Sequence, residues 1–431
     1  MRTQNVLAMF RRMISRVYSS ILLAGAAIAT SPMLLGLGPL SGGCNGMASV
    51  STSGSSSDST NGGQSGGAVA GDGAELEARK PRPQPAPAPP APAGEISVDW
   101  QPRTRARMLL SGHSLTDNPL ADDVQAIAEA RGRDFNWEQQ IIIGSPLRVR
   151  TRGDDPNSSN FSGYSQGKNR EGSGKDLLRE LDSPTKIGAN ERYDTLVVTE
   201  RHDILDVVTW ESTIPFLRHY HDRLRTYEPS ARAILYQTWP DVDKASPQAW
   251  IDYQAKELVA WECAASKVNQ SLLADGLPQA VTVVPTGLVL ARFVQRALEG
   301  SIPGISGTTT QRMNMIFGDT VHMTPLGAYV MSAAVYAAIF AETPASAPPP
   351  SDVNAAAATA GAQIAWEVVS DYHRAGNEPW LRPLDQCRTM VGALCDEYYS
   401  IRDRSPQCGD YWSGADSPYK WPDSSFPLPA P

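Results

Sequence analysis

The chain has 431 residues, of which 41% are hydrophobic, and it carries a formal net charge of −8. This length allows one large domain with appendages, because single hydrophobic cores rarely grow beyond about 250–300 residues. The acidic balance argues against nucleic acid as the main partner, since phosphate binding needs clustered Lys and Arg, which occur only at the extreme N-terminus. The sequence has no Cys/His array with zinc spacing and no phosphate-binding Gly-rich loop, so it predicts neither a metal nor an organic cofactor.

The first 43 residues are typical of an export signal. Four arginines lie among the first 16 residues, an apolar stretch follows at about 21–40, and small residues at 41–43 precede Cys44. Small residues directly before a cysteine are typical of bacterial lipoproteins, in which Cys44 would be acylated as the first residue of the mature chain. We therefore predict an exported protein that is tethered to the bacterial envelope by lipid on Cys44 and contacts the membrane only there. An ordinary cleaved signal, which would leave the protein secreted or periplasmic, an uncleaved anchor and a twin-arginine signal at Arg11-Arg12 stay open.

Residues 44–100 are predicted to form a linker. Gly, Ser, Asn and Asp dominate its first part, and the stretch Pro81–Gly94 is largely Pro and Ala. Neither composition buries enough apolar surface to offset chain entropy, so we expect a disordered coil followed by a stiffer, polyproline-like spacer. The folded domain is therefore predicted at 101–345, followed by a C-terminal portion at 346–431.

From residue 101 onward, short apolar runs alternate with longer amphipathic stretches. Five strands are predicted, at Arg107–Ser111, Gln140–Ile143, Asp194–Thr199, Ala231–Tyr236 and Ala280–Pro285. Helices are predicted between and after them, at Leu120–Ala130, Lys175–Leu181, Ile214–Tyr227, Pro247–Leu273, Leu288–Leu298 and Pro325–Ala341. This alternation predicts an α/β fold with a parallel sheet covered by helices on both faces, in which ligands bind beyond the carboxyl ends of the strands.

Residues that can perform nucleophilic chemistry lie in the loops at this edge. Ser114 comes just after the first strand, where Gly112 permits a tight turn, and Gly144 follows the second strand, where its N–H can approach a substrate oxygen. Asp319 and His322 precede the last helix, and three residues apart they can reach one another. A serine needs a base to take its proton, and that base needs a carboxylate to orient it. The sequence therefore predicts a Ser-His-Asp hydrolase triad.

Taken together, these residues resemble the four sequence blocks of the SGNH, or GDSL-type, serine hydrolase superfamily. The blocks occur in order as Gly112-His113-Ser114-Leu115, Gly144, Glu200-Arg201-His202-Asp203 and Asp319-Thr320-Val321-His322. The resemblance covers about residues 105–342 and implies a three-layer α/β/α, flavodoxin-like fold and an esterase that forms an acyl-enzyme on Ser114. It implies that His322 is the base and that Asp319 orients it. It also implies that the N–H groups of Ser114 and Gly144 belong to the oxyanion hole.

Two positions depart from the family pattern. His113 stands where the family has Asp, at a position that supports the turn. His202 stands where the family has an Asn whose side chain donates to the oxyanion, so the third donor is left open between His202 and Arg201. Trp239, which follows the fourth strand, is a further candidate for substrate binding.

A second serine motif competes for the role of nucleophile. The segment Gly163-Tyr164-Ser165-Gln166-Gly167 matches the Gly-x-Ser-x-Gly elbow of α/β-hydrolases. That elbow needs a buried strand before it and a helix after it, whereas residues 154–174 are largely Asn, Ser, Gly, Lys and Arg. We predict a long surface loop here instead. His219 and His221, two residues apart on a predicted helix, are expected to belong to a solvated helix face.

The C-terminal portion is predicted to contain a helix at about Ala355–Tyr372 and then a Pro-rich, aromatic tail. Four cysteines remain once Cys44 is set aside, namely Cys263, Cys387, Cys395 and Cys408. In an exported chain they are expected to form disulfides that staple the tail, in one of three pairings. Whether the tail covers the active-site edge or forms a small binding module stays open.

The sequence thus predicts an exported serine esterase that hydrolyses an extracellular carboxylic ester, such as acetyl groups on a polysaccharide. Two alternatives stay open: an O-acyltransferase on the same fold, and a catalytically silent lipoprotein that binds a carbohydrate or another ligand. Acyl transfer that outruns hydrolysis when an acceptor is added would distinguish the first. The absence of the oxyanion Asn favours the second, whereas the complete set of Ser114, Asp319 and His322 opposes it. The sequence does not define the substrate, the acyl length or the oligomeric state.

Overall fold

The structure, a computed structural model, describes residues 100–155, 160–277, 281–374, 378–406 and 408–423 together with residues 426 and 428. The predicted export signal, the lipidation site at Cys44 and the linker up to residue 99 lie outside the described residues. The described residues belong to one compact unit. No helix among them is long and apolar enough to cross a membrane.

Five strands and eleven helices make up the described part of the chain. The strands are β1 (Arg105–Gly112), β2 (Asp134–Ile141), β3 (Thr195–Thr199), β4 (Arg232–Tyr236) and β5 (Val281–Val284). The helices are α1 (Leu120–Ala130), α2 (Leu147–Thr151), α3 (Leu177–Asp182), α4 (Ile204–Trp210), α5 (Thr213–Tyr227), α6 (Gln248–Ala274), α7 (Thr286–Leu298), α8 (Thr309–Asn314), α9 (Pro325–Phe340), α10 (Ala355–Arg374) and α11 (Leu384–Ile401).

The five strands form one sheet in the order β2-β1-β3-β4-β5, and every neighbouring pair is parallel. The order reverses between β1 and β3, which is the flavodoxin-like arrangement of a doubly wound sheet. The predicted α/β fold with a parallel central sheet is therefore confirmed. In such a sheet the crevice between the loops after β1 and β3 is where ligands bind.

Helices cover both faces of the sheet, and the alternation of side chains along β1 explains why. Met108 and Leu110 face a core formed with α1, α7, α9 and α10. Leu109, between them, faces a second core formed with α5, α6 and α11. A strand that is buried on both faces is typically apolar, and β1 is apolar at Ala106 and from Met108 to Leu110. The chain therefore has three layers.

The C-terminal portion packs on the same two cores and is fastened by disulfides. Helix α10 belongs to the first core, and α11 belongs to the second core beside α6. Cys263 of α6 is bonded to Cys387 of α11, and Cys395 is bonded to Cys408. The structure thus selects one of the three pairings that the sequence leaves open, and it joins the tail to the domain.

Two features of the elements differ from the prediction. The second strand begins at Asp134, well before the predicted Gln140, because its polar residues are buried. Glu138 and Gln140 are both fully buried in β2. In addition, α2, α4, α8 and α11 are not among the predicted helices. Three of these four are single short helices in loops, where a hydrophobic period cannot be recognised.

Candidate active site

The turn after β1 presents Ser114 at the carboxyl edge of the sheet. Thr116 closes this turn, since its Oγ1 accepts from the His113 N–H at 3.2 Å and donates to the His113 carbonyl at 3.1 Å. A Cβ added to Gly112 would lie 1.8 Å from that same Oγ1. Only glycine therefore lets the strand end this close to the turn, and Ser114 is left partly exposed at its tip.

His113 lies beneath the turn and connects it to the next strand. Its side chain is 2% exposed, and its Nε2 lies 3.0 Å from the carbonyl oxygen of Glu200, just after β3. Its Nδ1 accepts from the N–H of Leu115 at 3.4 Å, so Nε2 carries the proton and donates. Burial, reinforced by the charge of Arg150, lowers the pKa of His113 to about 3. A neutral imidazole thus joins the loops after β1 and β3.

His322 connects Ser114 to Asp319 across the edge of the sheet. The Oγ of Ser114 lies 3.0 Å from Nε2 of His322, and Nδ1 of His322 lies 2.7 Å from Oδ2 of Asp319. The loop that carries the last two residues ends at Thr324, whose Oγ1 caps α9 by accepting from the N–H of Gly327 at 3.4 Å. The structure therefore brings the three predicted catalytic residues together with the hydrogen bonds that a triad needs.

Hydrogen bonds from its own loop keep the carboxylate of Asp319 ionised. Its Oδ1 accepts from the N–H groups of Val321 and His322, at 2.8 and 2.6 Å. Partial burial alone would raise the pKa of Asp319, but these hydrogen bonds and the His322 ring outweigh it and lower the pKa to about 2. The carboxylate is therefore ionised over the whole physiological range and can stabilise a positive charge on His322.

Trp239 supports the loop that carries Asp319 and His322 from the protein interior. Its side chain is fully buried, and its Nε1 donates to the carbonyl of Val321 at 3.0 Å. The indole is thus placed to hold the segment between Asp319 and His322 in position. It does not face the open side of the site.

Two of the predicted oxyanion donors are unused by the protein. Gly144 is exposed after β2 with φ of 69°, a conformation that favours glycine. Within the described part of the chain, neither the N–H of Gly144 nor that of Ser114 donates a hydrogen bond to another protein group. Both N–H groups are therefore available to a substrate oxygen.

The contacts of Arg201 and His202 indicate which of the two is better placed to be the third oxyanion donor. The guanidinium of Arg201 is held by Asp203 through two hydrogen bonds, of 3.0 and 2.7 Å. The ring of His202 is partly exposed, and its Nε2 lies 4.0 Å from Oδ2 of Asp241. Burial and the charge of Arg402 lower the pKa of His202, which favours a neutral ring with one N–H to donate. His202 is thus better disposed than Arg201 to serve a ligand.

Glu200 has a role that the sequence analysis does not assign. It is fully buried, and its carboxylate accepts from the N–H of Leu147 at 3.1 Å, the N–H of Arg201 at 2.7 Å and the hydroxyl of Thr213 at 2.7 Å. Burial raises the pKa of Glu200, and the nearby Arg150 and these hydrogen bonds act against that rise. The carboxylate ties together the loops after β2 and β3. Its position directly after an apolar strand places Glu200 at this edge of the sheet, but it does not identify these partners.

Arg150 of α2 is the second structural group that lies under the site. It is fully buried and donates to the carbonyl of Ser145 at 2.7 Å, to Oγ of Ser111 at 3.1 Å and to the carbonyl of Thr199. Its charge is balanced in part by Glu200. The sequence offers no signal for this role, because one arginine among several in a polar segment does not stand out.

Ser165 lies in a different setting from Ser114. It ends a short 3₁₀ helix at Ser162–Ser165, with no strand directly before it and no α-helix directly after it. Its neighbour Tyr164 is buried and contacts Nδ1 of His219 through its hydroxyl at 2.8 Å. The elbow geometry that a Gly-x-Ser-x-Gly nucleophile needs is therefore not formed here.

The expectation of a solvated face for His219 and His221 is wrong. Both side chains are buried, at 2% and 0% exposure. The segment around Phe161 covers His219. The rings of Phe161 and His219 stack with centroids 4.2 Å apart. In the described part of the chain, no group of three or more His, Cys, Asp or Glu side chains could hold a metal ion.

Comparisons with known proteins place few constraints on this chain. No family model matches the sequence, and no curated protein matches it. A solved structure of a DUF4886 family protein from Bacteroides uniformis aligns with 62% of this chain and 95% of its own, at 13% identity and a TM-score of 0.39. A likeness at this level carries no inference about function. The function is therefore inferred from the residues of the site.

Proposed function

We propose that this chain is a serine esterase of the SGNH type that hydrolyses a carboxylic ester through an acyl-enzyme. The observation that carries the proposal is the pair of hydrogen bonds at His322, 3.0 Å to Oγ of Ser114 and 2.7 Å to Oδ2 of Asp319. These distances are those of a nucleophile, a base and the carboxylate that orients the base. Their position at the carboxyl edge of a doubly wound parallel sheet gives further support.

The proposed reaction uses only groups of this chain and water. Oγ of Ser114 attacks the ester carbonyl while Nε2 of His322 takes its proton. His322 then delivers that proton to the oxygen of the leaving alcohol, and the acyl group stays on Ser114. Water, deprotonated by His322, then attacks the acyl-enzyme; the bond between the acyl carbon and Oγ of Ser114 breaks, His322 returns its proton to that oxygen, and the acid is released. Asp319 holds the His322 tautomer and stabilises its cation throughout.

The negative oxygen that forms at each step needs donors. The N–H groups of Ser114 and Gly144 are proposed to bind it, since they make no other hydrogen bond among the described residues. His202 is proposed as the third donor in place of the family Asn. One such donor is typically worth about 10²–10³ in rate, so a weak donor at His202 would lower the rate without abolishing it.

The location of the enzyme is proposed from the sequence alone. The arginine-rich, apolar and small-residue segments before Cys44 support export and lipid attachment at that cysteine. Two disulfides in the described part of the chain are consistent with an oxidising compartment. An enzyme held outside the cell by a linker would meet extracellular esters, such as acetyl groups on a polysaccharide.

Labelling of the full-length chain by a fluorophosphonate probe tests the proposal. We expect mass spectrometry to find the label on Ser114, and we expect it to be lost in Ser114→Ala and His322→Ala but kept in Ser165→Ala. Asp319→Asn should lower kcat on 4-nitrophenyl acetate by about 10³–10⁴, because the base loses its orienting charge.

Each other outcome of the labelling has a defined meaning. A label on Ser165 would overturn the assignment of the nucleophile. A folded chain that takes no label and hydrolyses no ester would replace the esterase proposal with a silent binding protein. Product analysis with an added sugar acceptor would separate hydrolysis from acyl transfer, since a transferase would form the acylated sugar faster than free acid.

A further inference from the structure

A cleft lined mainly by charged residues opens beside the candidate active site, between the loop Asp241–Asp243 and the segment Ile401–Arg404 of the C-terminal portion. Its volume is about 490 Å³. This is within the range of pockets that hold small ligands, roughly 300–1,000 Å³. Neither wall belongs to the sequence blocks that suggested the triad.

The first wall is joined to the loop that carries the triad. The hydroxyl of Thr320 donates to Oδ1 of Asp241 at 2.6 Å, and the N–H of Val242 donates to the carbonyl of Thr320 at 2.8 Å. Thr320 lies between Asp319 and His322 in the chain. The cleft therefore adjoins the side of the site on which His322 stands.

The second wall is held against the loop after β3. Arg402 donates to the carbonyl of His202, and its guanidinium lies 4.8 Å from the ring centre of Tyr398. Arg404 is paired with Asp206 at the start of α4. The whole segment Ile401–Arg404 lies inside the loop closed by Cys395 and Cys408. This wall is thus fixed by charge and by a covalent bond.

We propose that this cleft binds the alcohol side of the ester and that the alcohol is a polyhydroxylated one, such as a sugar. The proposal rests on the esterase function proposed above. In that mechanism Nε2 of His322 delivers a proton to the leaving oxygen, so the alcohol must lie on the His322 side of Ser114. The acyl group then points away from the cleft.

The chemistry of the two walls selects the class of alcohol. The carboxylates of Asp241, Asp243 and Asp403 accept hydrogen bonds, and the guanidinium groups of the adjacent arginines donate them. A sugar hydroxyl both donates and accepts, so it can satisfy both kinds of group. An alkyl alcohol would desolvate these groups without pairing them. A cationic alcohol would be repelled by the two arginines as well as attracted by the three carboxylates.

The test compares three acetate esters that share the acyl group and differ in the alcohol. These are 6-O-acetylglucose, hexyl acetate of similar length, and acetylcholine. We expect the full-length protein to have its highest kcat/KM on 6-O-acetylglucose. Asp243→Asn keeps the oxygen that accepts from the N–H of Ala245 at 2.9 Å but removes the charge. Asp403→Gly removes a carboxylate at a residue whose φ of 51° suits glycine.

We expect the double variant Asp243→Asn/Asp403→Gly to lower the ratio of kcat/KM on 6-O-acetylglucose to that on hexyl acetate by about tenfold or more, mainly through KM. Charged hydrogen bonds are roughly twice as strong as neutral ones, and a loss of about 1.4 kcal/mol corresponds to a factor of ten. The matched control is Asp396→Asn, an exposed acid of α11 outside the cleft, which should leave the ratio within about twofold.

The outcomes separate this inference from the proposed function. A chain labelled on Ser114 whose ratio does not change in the double variant, or which prefers hexyl acetate or acetylcholine, would overturn the sugar-binding role of the cleft and leave the esterase intact. A chain that is neither labelled nor active on any of the three esters would overturn both.

Discussion

A single residue, His113, supports the turn that carries the candidate nucleophile Ser114. The SGNH motif that this segment resembles has Asp at this position, where a side chain must brace the turn. His113 does this as a neutral group, donating to the carbonyl of Glu200 and accepting from the N–H of Leu115. Because burial keeps the ring uncharged, it places no cation directly beneath Ser114. The histidine therefore supports the turn without adding a charge.

At the same turn, Gly112→Ala should destabilise the fold and slow the labelling of Ser114. The added Cβ would meet Oγ1 of Thr116, which closes the turn, so Thr116 has to move and its hydrogen bonds are lost. Overpacking of this kind costs about 1–3 kcal/mol. Urea unfolding and the rate of fluorophosphonate labelling measure the two effects.

Gly392→Ala is the matched control for that variant. Gly392 lies inside α11, and a Cβ there would have only Trp412 in ordinary contact at 3.8 Å. Alanine in a helix interior is favoured over glycine by about 0.5–1 kcal/mol, so this variant should be stabilised slightly. An unchanged urea midpoint for Gly112→Ala would show that the turn tolerates a side chain.

Individual elements show which parts of the fold the sequence can predict. Helix α1 has the bounds that its hydrophobic period predicts, and the loops that hold Ser114 and His322 lie at the predicted edge. Both follow from local patterns. Strand β2 is longer than predicted because Glu138 and Gln140 are buried with distant partners, Glu138 with Lys175 at 3.2 Å and Gln140 with Gly163 at 2.7 Å. Such partners are chosen by the tertiary fold, and no local pattern contains them.

The same reason explains the burial of His219 and the role of Glu200. Each is a polar residue whose neighbours come from other parts of the chain, Phe161 in one case and Leu147 in the other. A sequence read alone places polar residues in solvent. The contact between Ser114, His322 and Asp319 could be predicted because these residues lie at strand and helix ends. The residues that support them could not.

Glu200→Ala should strongly destabilise the fold, because Glu200 joins the loops after β2 and β3. It would leave the buried Arg150 without its nearby negative charge, and the N–H of Leu147 and the hydroxyl of Thr213 without their acceptor. Each buried donor that is left without its acceptor costs about 1–3 kcal/mol. Unfolding in urea gives the value directly.

The control for Glu200→Ala is the removal of an exposed glutamate that has a charged partner. Glu397 pairs with Lys256 at 2.6 Å, with side chains that are 43% and 53% exposed. Its removal in Glu397→Ala should cost less than about 1 kcal/mol. Equal losses for the two variants would mean that Glu200 does not hold the loops after β2 and β3 together.

On the scale of the whole molecule, the C-terminal portion is part of the domain that carries the site. Helix α10 and helix α11 complete the two cores on opposite faces of the sheet. Arg402, just after α11, contacts the loop after β3 and also lies near the buried Glu257 of α6. The structure therefore links the last part of the chain electrostatically to the central layer and to the site.

Glu257 should make the stability of the whole fold depend on pH. Both of its carboxylate oxygens are buried without a hydrogen-bond partner among the described residues. Burial raises its pKa from 4.5 to about 8, against the opposing effect of Arg402. The folded state then holds a proton that the unfolded state has lost, so this group costs stability as pH rises from about 4.5 and the cost levels off above about 8.

We therefore expect Glu257→Gln to be more stable than the unchanged chain at pH 8, by at most about 5 kcal/mol, and to differ little at pH 4. Urea unfolding of both proteins across this range measures the difference, and other groups that titrate cancel in the comparison. A constant difference from pH 4 to pH 8 would show that Glu257 does not titrate in this range.

The disulfide between Cys395 and Cys408 has a consequence for how this protein can diversify. It closes a loop with a sequence separation of 13, and that loop carries one wall of the cleft. The loop follows His322, the last residue of the proposed triad, in the chain. Closing a loop becomes only slowly more costly as it lengthens, so insertions between these cysteines are tolerated thermodynamically. If the cleft binds the alcohol as proposed, its selectivity can change through this short, disulfide-bounded segment alone. The sheet and the side chains of Ser114, His322 and Asp319 need not change.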